Sequence, residues 1–134
     1  MNIPNLKLMF NHVLLNVNED QIDMDFFRTG VKNTHECKST GCIIGHCVIL
    51  DNWDNVPFNH YGNIDFNGWS EKFTGLISHS PEWLWCFSGY WPNNKTQILL
   101  RLKYLIDNQS VPQDLSYKGH DYLLLEQELK PYEI

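Results

Sequence analysis

Apolar residues recur along this chain mainly at helical spacing. Over residues 3–17, Leu6, Phe10, Val13 and Val17 fall on one stripe, which Met9 and Leu14 widen. Pro4 suits the first turn of that helix. After a polar break at Asn16–Asp20, Asp23–Phe27 reads as a short helix or turn, and Gly30–Thr40 as a polar connection. A second helix is predicted from Thr40 or Gly41 to Leu50. It is apolar nearly all round (Cys42, Ile43, Ile44, Cys47, Val48, Ile49, Leu50) and should therefore be central and buried. Gly45 in its middle costs about 1 kcal/mol relative to alanine, which suggests a close backbone approach.

Asp51–Asn67 breaks the pattern. It is rich in Asn, Asp, Gly and Pro, with Trp53, Phe58, Tyr61, Ile64 and Phe66 interleaved, and reads as a long functional or self-pinned loop. It is not a calcium loop, because the positions that need glycine and glutamate hold Val56 and Gly62. A short helix over Trp69–Thr74 should end at Gly75, with Leu76 making the apolar contact beyond it. Ser80, Pro81 and Glu82 form a helix start of cap, proline and acid, followed by Trp83, Leu84, Trp85, Cys86 and Phe87. Of these, Trp83 or Leu84 and Phe87 are expected inside. The clearest helix spans 95–107. Asn94 with Gln97 resembles a capping box, and Ile98, Leu99, Leu102, Leu105 and Ile106 form its buried stripe. Lys95, Arg101 and Lys103 are expected to face out. Beyond Pro112 the pattern fades, and Leu123–Leu125 could be a short edge strand or a last helix.

The fold expected is thus mostly α: a compact single domain, residues 1–134, of four to six helices with one long aromatic-rich loop. A short strand near the end and a peripheral tail at 113–134 are further candidate features.

Composition narrows the function classes. The net charge is −6 and the cations are scattered, which argues against direct nucleic-acid binding. No apolar run reaches the roughly 20 residues that span a bilayer. The first helix, with Asn5, Asn11 and His12 among its apolar positions, does not read as a signal peptide. The expectation is a cytoplasmic protein with reduced thiols. Alanine is absent altogether, which points to AT-rich coding rather than to helix physics.

Three chemistries compete. His35, Cys37, Cys42 and His46, with Cys47, could hold zinc, the one cofactor these residues admit. Cys42 and His46 share a helical face, but the spacing fits no common finger or ribbon, so no cofactor is favoured. Cys42 near a helix start could be a nucleophile, with His46, His60 or His79 as base and Asp51, Asp54 or Asp65 as orienter. No local motif of a cysteine hydrolase accompanies it, and a small buried cysteine is the plainer reading. Finally, Trp53, Tyr61, Trp69, Trp83, Trp85, Tyr90 and Trp91 could wall a ligand or anchor a partner, with Trp53, Tyr61, Tyr90 and Trp91 as the candidate contact residues and His79 and Ser80 offering an anion site at a helix start. That third reading is favoured: binding without catalysis.

The order of these features resembles an uncharacterised family of small phage and bacterial proteins. Asp23-Met24 is similar to its FDM-like turn. The run from Cys37 to Gly45 is similar to its C-G-T-x-x-C-x-x-G signature. Residues 81–92 are similar to its E-x-x-x-L-F-x-x-x-W segment, and Arg101–Pro112 to its R-L-x-x-L-I-x-x-G-x-x-P ending. Lys38, His46 and Cys47 depart from the pattern. The resemblance implies a mostly helical single domain of phage type and brings no activity with it. The function expected is that of a small accessory protein in a bacterial host, engaging a host protein or a small nucleotide-like ligand.

Overall fold

A computed structural model describes residues 1–22, 43–88, 91, 94–113 and 127–133. Its helices run α1 (Ile3–Asn16), α2 (Ile43–Cys47), α3 (Phe66–Thr74), α4 (Pro81–Phe87) and α5 (Lys95–Asn108). Short 3-10 turns occupy Glu19–Gln21, Val48–Leu50 and Trp53–Asn55. The protein is mostly α-helical, and no β-strand forms among the described residues. An isolated antiparallel bridge joins Phe58 to Ile64. No helix among the described residues is long and apolar enough to cross a membrane.

The helices begin where their caps allow. The Asn2, Asp65, Ser80 and Asn94 side chains accept from the backbone N–H of Asn5, Gly68, Trp83 and Gln97, satisfying donors that a first turn leaves open. α3 starts at Phe66, one turn earlier than the expected Trp69. Gly68 hid that turn, because glycine disfavours a helix interior. The cap explains the glycine, since a Cβ at Gly68 would lie 2.5 Å from the Asp65 carboxylate that holds the turn.

α1 packs against α5, α2 and α3, and α4 packs against α5. The buried cluster joins Leu6, Met9, Phe10 and Val13 of α1 with Ile43, Ile44 and Cys47 of α2. Trp69 of α3, Trp85 and Cys86 of α4, and Ile98, Leu99, Leu102 and Leu105 of α5 complete it. Trp83 and Phe87 lie inside as expected.

A further expectation fails on α5. Arg101 does not face out; it is fully buried, and Ile98–Leu102 are buried without a break. α5 is covered by α1 on one side and α4 on another, so its polar face at mid-length is enclosed too. The Arg101 carbonyl accepts from Trp85 Nε1 at 3.0 Å, tying α4 to α5. Of the tail, residues 127–133 are described; they carry no regular structure, and Leu129 and Tyr132 pack against the core. The expected turn at Asp23–Phe27, the start of the second helix before Ile43 and the candidate strand at Leu123–Leu125 lie outside the described residues.

Candidate functional site

The loop between α2 and α3 is a framed structure. Asp51 Oδ1 accepts from Asn52 N–H at 2.8 Å and from Asn55 Nδ2 at 3.2 Å, while its Oδ2 accepts from the buried Trp69 Nε1 at 3.0 Å. The Asn52 side chain accepts from Asp54 N–H. Asn59 Oδ1 accepts from the N–H of Tyr61 and of Asn63, closing the tip around Gly62. Main-chain bonds from Asp65 N–H to the Pro57 carbonyl and from Asn59 N–H to the Asn63 carbonyl complete the frame. The asparagines and aspartates that marked this stretch as a loop are therefore its internal braces.

On this frame the aromatics face solvent. Trp53 is 36% exposed and Tyr61 73%. Trp53 stacks on Phe58, itself exposed, with ring centroids 6.4 Å apart, and His60 lies against Tyr61 at 4.0 Å. Phe58 was not among the candidate contact residues, although it sits two positions from His60 in the same loop. A cavity of about 490 Å³ opens beside the loop, lined by Asp51, Asp54, Asn55, Asn5 and Lys72 over Leu8, Leu50 and Phe73. Its charged groups are two carboxylates and one ammonium.

The remaining candidates divide. Trp91 is no exposed wall. It is 9% exposed, donates from Nε1 to the Leu84 carbonyl at 2.8 Å, and meets Trp85 edge-on. Its indole ties residue 91 to α4. Tyr90 lies outside the described residues, as do His35, Cys37 and Cys42. His46 is buried, and its Nε2 is 2.7 Å from the Gln21 carbonyl, so that nitrogen carries the proton and donates. His79 stacks on Trp83 at 4.9 Å and pairs with the Ser78 hydroxyl. The Ser80 hydroxyl accepts from Trp83 N–H, and α4 is a helix of only seven residues. The anion site expected there is thus occupied by the helix's own cap.

The described thiols are ill suited to chemistry. Cys47 and Cys86 are both fully buried. Burial pushes the Cys86 thiol up to about 12, against a smaller opposing pull from Arg101. Burial likewise draws the Arg101 guanidinium down to about 10, which leaves it charged at neutral pH. Among the described residues, no three His, Cys, Asp or Glu side chains converge as a metal site would require.

No protein-family model, curated protein or solved structure matches the chain.

Proposed function

We propose that this chain is a small phage-type accessory protein that works by binding a host protein, without catalysis, through the loop of residues 51–65. The observation that carries this reading is the exposed Trp53–Phe58 stack, with Tyr61 beyond it, on a loop braced by Asp51, Asn52 and Asn59. Held aromatics lose little freedom on docking, and Trp and Tyr are the residues most often dominant in interfaces. A nucleotide-like ligand fits the adjoining cavity less well, because Asp51 and Asp54 would oppose a phosphate and Lys72 alone would favour it.

The test is native mass spectrometry of the protein captured from a bacterial host lysate, beside a Trp53→Ala/Tyr61→Ala variant. The variant should keep its fold, since neither side chain belongs to the buried core, and lose the partner by about 30-fold or more in affinity. Retention of the partner by the folded variant would overturn the loop assignment. A change in tryptophan fluorescence on adding AMP, with no protein partner retained, would favour the small-ligand reading instead.

A further inference from the structure

Residues 127–133 meet α1 and α5 as a bound peptide would. Asn11 Oδ1 accepts from the Tyr132 backbone N–H at 2.7 Å, and Asn11 Nδ2 donates to the Tyr132 carbonyl at 2.8 Å. One carboxamide thereby pairs with both main-chain groups of one residue, as a neighbouring strand does when it captures an extended peptide. The tyrosine ring packs edge-on against the buried Phe10, with centroids 5.0 Å apart. Lys7 Nζ and Lys103 Nζ lie 5.5 and 5.8 Å from the ring centroid, within cation–π range. The phenol donates to Asp107 Oδ1 at 2.9 Å, and Lys103 holds the other oxygen of that carboxylate at 2.6 Å.

Leu129, three residues earlier, is the second point of contact with the core. Glu128, Lys130, Pro131 and Glu133 are exposed. Two anchors with exposed residues between and beside them form a short linear motif, Leu-x-x-Tyr. The chemistry of the seat matches it: an apolar floor, two cations beside the ring, a carboxylate for the hydroxyl and an amide for the backbone.

The geometry points to the seam between α1 and α5 as a recognition site for an extended Leu-x-x-Tyr peptide, filled in cis by residues 127–133 of the chain itself. A segment of this pattern in another protein would compete for it. The tethered copy opposes that exchange through a high local concentration, on the order of millimolar. Lys7, Phe10 and Asn11 lie on a different stripe of α1 from Asn5 and Leu8, which line the cavity by the loop, so this site stands independently of the loop reading.

The test uses the full chain carrying Tyr132→Ala, which empties the seat, and a fluorescein-labelled peptide of residues 127–134 read by fluorescence polarisation. The variant should bind the peptide about tenfold or more tightly than the unsubstituted chain, in which the tethered copy competes. Adding Asn11→Ala should abolish the gain, and a peptide with Phe in place of its Tyr should bind several-fold more weakly. A Tyr132→Ala chain with an unchanged circular dichroism spectrum and no peptide binding would overturn the proposal. So would indifference of binding to Asn11→Ala. If Tyr132→Ala does not fold, millimolar unlabelled peptide is titrated into the unsubstituted chain instead. Amide shifts at Lys7, Asn11 and Asp107 are then expected, and an unmoved spectrum overturns the proposal.

Discussion

At the scale of single residues, burial decides more than identity does. Arg101 and Lys103 are two positions apart on α5, yet Arg101 is fully enclosed and Lys103 reaches Asp107 near the surface. His12 shows the same control. Burial, and then the neighbouring His46, hold its imidazole below the ordinary value, while Asn16 Nδ2 lies 3.4 Å from its Nδ1. The unfolded chain therefore takes up this proton first as pH falls. Stability should decline as pH drops from about 6.5 through the lowered folded value, and should be unaffected by this group above that range. Urea midpoints at pH 7.5 and 5.5 measure the decline, and His12→Gln should reduce it. An equal decline in the variant would assign the effect to other groups. The residue types were legible in the sequence, but the enclosure of Arg101 and the proximity of His12 to His46 were not, because both arise from neighbours distant along the chain.

At the scale of elements, caps and turns were the most legible features. Ser80 and Asn94 cap α4 and α5 where their residue types suggest, and α1 occupies Ile3–Asn16, close to the predicted 3–17. Gly75 ends α3 in the left-handed region, φ 70°. A Cβ there would also sit 3.1 Å from the backbone of Met1 and Asn2, which would have to give by a few tenths of an ångström, and Asn2 N–H donates to the Thr74 carbonyl. Gly75→Ala should destabilise the protein by about 1–2 kcal/mol from the left-handed backbone alone, measured as a shift in urea midpoint at constant slope. A neutral result would mean that the chain start moves aside freely and that the turn relaxes. What the sequence concealed at this scale was the first turn of α3, where Gly68 weakens the helical signal while making room for the Asp65 cap.

At the scale of the whole molecule, the loop depends on the helices behind it. Asp51 braces Asn52 and Asn55 with one oxygen and reaches Trp69, fully buried in α3, with the other. Asp51→Ala leaves that indole N–H without its acceptor, at a cost of about 1–3 kcal/mol. It should also speed amide exchange across residues 52–56 while α5 amides keep their protection, as read by hydrogen exchange. Unchanged exchange there would show that the Asn52 side chain and the main-chain bonds of the 3-10 turn suffice to hold it. The segment 127–133 gives the same lesson in reverse. Nothing in its local pattern announces a docked peptide, because Asn11 and Asp107, which hold Tyr132, lie 121 and 25 residues away in sequence.

By itself, the sequence determined the helical class, most helix starts and ends, and the main apolar stripes, because these follow from spacing and cap chemistry within a few residues. The tertiary structure alone decided which aromatics point outward. Trp53 and Tyr61 stand on a braced loop, whereas Trp91 turns in to Leu84 and Trp85. An indole or phenol has the same composition on either side of a surface, and only the packing of distant helices determines where that surface runs.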